Sequence, residues 1–422
     1  MIDGVSDGAI DGVVLKRLRE QDRALVKVAR KIRVLGTLGW PPEHEATFLA
    51  SVRAGAPALP VIDTPPADLS EHKTALHDLR VGLDTGHPAG AFLDRTAASY
   101  LEAAEMLERA GTPAFTEIAC AVYGAPDEPI HPGSPTHLDA ASHFIRVTEG
   151  CAPPVTDGGD MNAEEAAAWL RERLGDHFLP ALPVELGEGM APLATAGSKR
   201  VRLRADARFS AVQLAQLLEH EALVHTATKR NGRAQPLLTS LGLSSPRTTC
   251  AQEGLATLAE MITDTMDLHR LRRIALRILA VDAGLEGADF IEVFQLFREA
   301  GQSESESYHS AARIFRGGDV RGGVVFTKDV VYLKGMLSTH TFLLKAMQEG
   351  RRDAPLRLFA GRMTLGDALA LEPLFEAGLM APPITAPDWV FNQECLAAYL
   401  AWTAFNDRIQ LHCVSLEDFR DF

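Results

Sequence analysis

Cysteine is scarce in this chain and widely scattered. The five residues Cys120, Cys151, Cys250, Cys395 and Cys413 are odd in number and form no C-x-x-C pair. That excludes a disulfide framework, and a reducing, cytoplasmic setting is expected. Long apolar runs are also missing. No stretch approaches the roughly 18 consecutive apolar residues of a membrane span. The opening residues MIDGVSDGAIDGVVLKRL contain no basic segment followed by an apolar one, so no secretory leader is expected. Positive charge is in deficit: 42 Lys and Arg stand against 56 Asp and Glu, a net charge of −14. Neither nucleic acid nor a membrane surface is an expected partner, although a local basic pocket remains compatible with that balance. There is no long repeat and no low-complexity tract. What remains is ordinary globular material, 422 residues at 46% hydrophobic and 23% charged.

The pattern along the chain is helical. Val14, Leu18, Leu25, Val28 and Ile32 recur at helical intervals, which predicts an amphipathic helix from about residue 10 to 35. Further helices are expected at about 68–83 and 90–110. The proline-broken stretch PPEHEATFLASVRAGAPALPVIDTPPADL is expected to wind over the surface. A Pro/Gly-rich tract over 124–160 marks the main break, giving an N-terminal helical region (1–155) and a second unit (156–422). Asn162 should cap the helix NAEEAAAWLRERLG, and Ser210-x-x-Gln213 and Thr249-x-x-Gln252 read as capping boxes. Asn231-Gly232 reads as a helix stop. Lys199–Arg204 alternates basic and apolar residues, as a half-buried strand would, and a short charged strand suits a sheet edge. As an edge it could pair with an extended peptide, or it could be ordinary sheet. The glycine-rich FRGGDVRGGVVFTKDVVYLKG reads as a turn with room for a short strand. The fold class is mainly α with a small β element.

One stretch carries chemistry. LLEHEALVHTATKRNG contains His220-Glu221 and then His225. Two histidines and an adjacent glutamate on a helix supply most of a catalytic zinc site, which needs three protein ligands, an open position and a carboxylate to take a proton. In the common H-E-x-x-H motif the histidines lie about 40° apart around the axis, but five-apart histidines lie about 140° apart on an ideal α-helix. A shared metal therefore demands a local deformation, and a π-bulge is the natural one. His72 and His77 have the same spacing without the glutamate, and read as surface or structural residues. The third ligand should come from a second helix, where TTCAQEGLATLAE offers Glu253. Gly254 beside it permits close helix approach. Glu260, seven residues on, could orient a ligand from behind. Taken singly, Glu253 is better explained as a glutamate favoured by a helix N-terminus.

The combination LLEHEALVH…NGRAQP…TTCAQEGLATLAE resembles the QEGLA-motif proteins, labelled flavohaemoglobin expression-modulating, whose eukaryotic relatives are the microtubule-associated tyrosine carboxypeptidases. The block ARIFRGGDVRGGVVFTKDVVYLKG is similar to their downstream segment. The resemblance is clearest over about 195–340. It implies a zincin-like metallopeptidase with an active-site helix, with His220, His225 and Glu253 binding zinc and Glu221 as general base. It further implies an activity that removes a C-terminal residue from a peptide or protein. The N-terminal part is shorter than in that family and not strongly basic, so a microtubule-binding extension is not evident. A non-catalytic regulatory protein with a structural metal site is the alternative, although a structural site has no need of Glu221. A carboxypeptidase must also hold a free carboxylate. Arg316, Arg321 and Lys328 are the candidates, with Tyr332 as a donor to the scissile carbonyl. The same arginines could equally belong to a solvated turn, paired with Asp319 or Asp329.

Overall fold

Capping side chains set many of the helix starts. Asn162 accepts from the Glu165 amide at 3.0 Å while the Glu165 carboxylate accepts from the Asn162 amide at 2.8 Å, opening helix Ala163–His177. Ser210 and Gln213 repeat the exchange at 3.1 and 3.0 Å, opening helix Ala211–Leu217. Each exchange satisfies backbone donors that a helix end would otherwise leave bare. The computed structural model describes residues 12–63, 67–151, 159–188, 190, 193–197 and 199–406. These are mostly helical, with two small sheets. The first eleven residues and Cys413 lie outside them. The other four cysteines are free thiols. Among the described residues no helix is long and apolar enough to cross a membrane.

The expected N-terminal helices are present as Gly12–Ala29, Ser70–Val81 and Pro88–Glu108. Several local expectations are corrected. Residues Glu43–Arg53 form a helix where the prolines suggested a surface coil. Pro41 and Pro42 precede its first turn, where no intrahelical N–H is required. Phe48 is buried there, edge-on to Phe290 and Phe294 at 4.9 and 5.0 Å, a burial of about 1.5–3 kcal/mol. Thr249 is not a cap: its hydroxyl points back to the Ser245 carbonyl, and the Gln252 side chain instead accepts from Thr228 at 2.8 Å. Asn231-Gly232 does not end its helix, which continues to Arg233. Gly232 is needed for contact, since a Cβ there would lie 2.2 Å from the Leu241 carbonyl oxygen. The glycine-rich segment contains no strand. It leads through the 3₁₀ turn Thr327–Asp329 into helix Val330–Gln348.

Strands β1 (Met161–Asn162) and β5 (Arg208–Phe209) form one antiparallel pair. Strands β2 (Val184–Gly187), β3 (Ala194–Ala196) and β4 (Val201–Arg204) form the other sheet, in the order β2-β4-β3. The basic strand β4 is therefore central, not an edge, and has no free side for a peptide. It pairs in parallel with β2 and antiparallel with β3. Its alternation is as read: Val201 and Leu203 are buried and Arg202 is exposed. The edges belong to β2 and β3.

A small apolar cluster between Ala163 and Ala227 joins this sheet to the helices around it. The larger core runs from Leu18 to Leu400 and draws on both sides of residue 155. At its centre helix Thr249–Ile262 crosses helix Val330–Gln348 with backbones almost touching. A Cβ on Gly254 would sit 2.2 Å from the Gly335 carbonyl, and one on Gly335 would sit 2.2 Å from the Cys250 carbonyl. That crossing brings Glu253 to the turn carrying Lys328.

Candidate metal centre

The helix that begins at Ala211 changes pitch in its middle. Residues Leu218–Thr226 form a π-helix, with α-helix on both sides (Ala211–Leu217 and Ala227–Arg233). Its i→i+5 pattern brings residues five apart onto one face. His220 and His225 accordingly stand edge to face with ring centroids 4.8 Å apart. The carboxylate of Glu253 meets both, its Oε2 lying 3.6 Å from His220 Nε2 and 3.5 Å from His225 Nε2. One donor atom from each of the three residues lies within 4.8 Å of the others. Among the described residues no other group of three His, Cys, Asp or Glu converges in this way.

The surroundings prepare these atoms for a cation. Glu260 is fully buried and saturated: its oxygens take His220 Nδ1 at 2.6 Å, Gln216 at 2.8 Å, and Arg270 through Nη2 and Nε at 3.0 and 3.1 Å. Burial alone would raise the Glu260 carboxylate, but His220 and Arg270 hold it down at about 2. An ionised carboxylate only accepts, so His220 donates from Nδ1 and turns Nε2 inward toward Glu253, the orientation of metal-binding histidines. Burial alone would lower His220, but Glu253 and Glu260 raise it to about 10. A pocket that favours a proton so strongly also favours a metal ion. Glu253 would likewise be raised by burial, but Lys328 and the two histidines hold it well below the carboxylate range. Two imidazoles and one ionised carboxylate suit zinc. His225 is less supported, its Nδ1 being buried without a partner among the described residues. Glu221 is half-buried and its side chain makes no hydrogen bond or ion pair with another described residue, while its charge is felt by His220 and Arg362.

The structure separates the four clamp candidates. Lys328 is 7% exposed and donates to Glu253 Oε1 at 3.3 Å. The next residue, Asp329, holds it there through a two-pronged bond from Arg313, both arms 2.6 Å, with Arg277 3.6 Å away. The Tyr332 hydroxyl accepts from Arg313 at 3.2 Å, and the ring lies 5.2 Å from Lys328 Nζ. Burial would raise the phenol, yet Lys328 and Arg313 leave it lowered. Tyr332 thus supports Lys328 from behind and does not line the cavity at the metal centre. Arg321 points to solvent and pairs with Asp319 at 2.6 Å. Arg316 lies against Phe326 and lines a different cavity, with Trp40 and Tyr308. Arg321 is thus a turn residue paired with Asp319, whereas Lys328 alone of the four lines the cavity beside Glu253.

The cavity at the metal centre has a volume of about 590 Å³ and is lined by His225, Glu253 and Lys328. Its other charged lining residues are all cationic: Arg30, Arg33, Lys229, Arg233 and Arg362. Burial lowers Lys229 to about 8, helped by repulsion from Arg362, Arg233 and Arg30. Part of this was visible in the sequence, because His225, Lys229 and Arg233 follow at intervals of four on one helix face. Arg362, 137 positions beyond His225, carries no such signal.

No curated protein matches the chain in sequence. Among solved structures it is similar to Trypanosoma cruzi metallocarboxypeptidase 1, at 14% identity and TM-score 0.40, covering 90% of this chain and 95% of that one. That likeness is too slight to support an argument about chemistry. The family evidence is of another order, since the model described as microtubule-associated tyrosine carboxypeptidase matches residues 46–408, the greater part of the chain with the π-helix, the QEGLA helix and the Lys328 turn inside it. By that match the chain belongs to the microtubule-associated tyrosine carboxypeptidase family.

Proposed function

We propose that this protein is a zinc-dependent metallocarboxypeptidase that removes one residue from the C-terminus of a peptide or protein. The observation that carries the reading is the convergence of His220, His225 and Glu253 on one point, with Glu221 beside the first of them. His220 Nε2, His225 Nε2 and Glu253 would hold the ion. When bound, zinc supplies Lewis-acid polarisation of a carbonyl and makes water easier to deprotonate. Glu221 takes the proton from the attacking water and returns it to the leaving amine, a transfer its freedom from other partners permits. Lys328, held at Glu253, supplies a fixed positive charge beside the site for the developing oxyanion. The cationic cavity supports a substrate that arrives with a free carboxylate, in keeping with the family's description.

The test is Glu221→Gln, which preserves shape and removes the base. Zinc content by elemental analysis should match the wild type, while release of a C-terminal residue from peptides, followed by mass spectrometry, falls by at least about a hundredfold. A wild type that cleaves no member of a C-terminal peptide library removes the enzymatic reading and leaves a structural metal site.

A further inference from the structure

A carboxypeptidase selects chain ends because something recognises the terminal carboxylate, and the segment that the sequence offered for that task lies largely elsewhere. Lys328 is engaged with Glu253, Arg321 faces solvent, and Arg316 lines another cavity. Arg362 lines the cavity that the metal ligands line. It is pinned at both ends: its backbone N–H donates to the Leu241 carbonyl at 2.7 Å, and its Nη2 donates to the carbonyl of His225 at 3.0 Å. Nη1 donates to the Ser244 hydroxyl. These bonds fix the guanidinium beside a metal ligand and use two of its five N–H groups. Its Nε is buried without a partner, and no carboxylate lies within ion-pair distance among the described residues. Glu253 and Glu221 act on it only from a distance; a largely buried cation without a contacting anion is costly to hold, and an arriving anion relieves that cost.

We propose that Arg362, backed by Lys229, is the receptor for the α-carboxylate at the end of the substrate chain. The inference rests on the carboxypeptidase reading and adds the residue that makes the enzyme an exopeptidase. The carboxylate of a substrate lies one residue beyond the scissile carbonyl, about 3.6 Å along the chain. Arg362 is bonded to His225 itself, and Lys229 follows His225 by four residues, about 6 Å along the helix. Both charges therefore line the same cavity as the metal ligands His225 and Glu253, one of them bonded to the His225 backbone. A guanidinium can hold such a group through two parallel bonds, which an amide end cannot reproduce.

The experiment compares an N-acetylated pentapeptide ending in tyrosine with its C-terminal amide, using zinc-loaded enzyme. Wild type should cut the free acid far faster. In Arg362→Met, kcat/KM for the acid should fall by about tenfold to a hundredfold, as for a lost hydrogen bond to a charged group. The loss should appear mainly in KM, and the acid-to-amide ratio should collapse. Arg362→Lys should recover part of it, and Lys229→Met should show a smaller loss of the same kind. Zinc content is measured in each variant, so that disturbance of His225 is seen directly. An acid-to-amide ratio unchanged in Arg362→Met overturns the proposal while leaving the carboxypeptidase intact. A wild type that cuts neither peptide overturns the carboxypeptidase reading, and calorimetry with N-acetyltyrosine then still interrogates the subsite. Binding that is lost in Arg362→Met supports the anion receptor, and equal affinity in both proteins refutes it.

Discussion

Replacing Asp329 by Asn separates the electrostatic support of the site from its chemistry. Asp329 is 2% exposed, and its two oxygens take both arms of Arg313 at 2.6 Å. Arg277 stands 3.6 Å away, and Arg316 is close enough to be repelled by Arg313. The amide keeps the shape but leaves this group of buried guanidinium ions without its anion. Breaking one side of a buried pair costs about 3–5 kcal/mol, against less than about 1 kcal/mol for an exposed pair. Urea unfolding of wild type and variant should show the larger loss. Asp329→Asn/Arg313→Met should be less destabilised than Asp329→Asn alone, since the stranded charge is removed as well. The pH dependence has a definite sign. Burial alone would raise Asp329, but Arg313 and Arg277 hold it well below its ordinary 3.8. Its contribution is therefore complete above that ordinary value and is lost as pH falls through the lower folded one. The gap between wild type and variant should be constant from neutral pH to near 4 and close only below it. A loss under about 1 kcal/mol at neutral pH, or a double variant worse than the single one, would refute the reasoning.

Two further outcomes follow from the same geometry. Glu260→Gln loses the charge that orients His220, and zinc affinity in competition with a chelator should drop about tenfold to a hundredfold; unchanged affinity would mean that His220 needs no such support. Gly254→Ala forces a methyl to within 2.2 Å of the Gly335 carbonyl, so thermal unfolding should show a loss of about 1–3 kcal/mol or more. Turnover should fall further than stability does, because the helices that set Glu253 against Lys328 are pushed apart; a fully active, stable variant would contradict the tight crossing.

The convergence of His220 and His225 was legible because the two are close in sequence and their spacing conflicts with ideal helix geometry. Five-apart histidines can share a metal only on a widened helix, and that is the helix Leu218–Thr226 forms. Asn162 and Ser210 were legible because capping is local. Thr249 misled for the opposite reason: Gln252 is drawn to Thr228 on a neighbouring helix, a partner that local pattern does not contain. The edge reading of β4 failed because its charges need no free edge: Arg202 lies on the exposed face and Arg204 pairs with Asp206 at 3.2 Å. Arg362 was out of reach, since only the packing of its loop against Leu241 brings it to His225.

The π-turn also bears on how such a motif could change with time. It accommodates one residue more than an α-helix would between His220 and His225, and regular helix resumes on both sides. Losing one residue from Ala222–Val224 would let the segment relax to α-helix and set the histidines four apart, the common zinc-peptidase spacing. The Lys229–Arg233 stripe would keep its facing, because the surplus residue had been absorbed as pitch and not as rotation of the helix beyond it. The two spacings are thus geometric neighbours, one insertion apart, and the π-helix is what lets the longer one bring both histidines to one face.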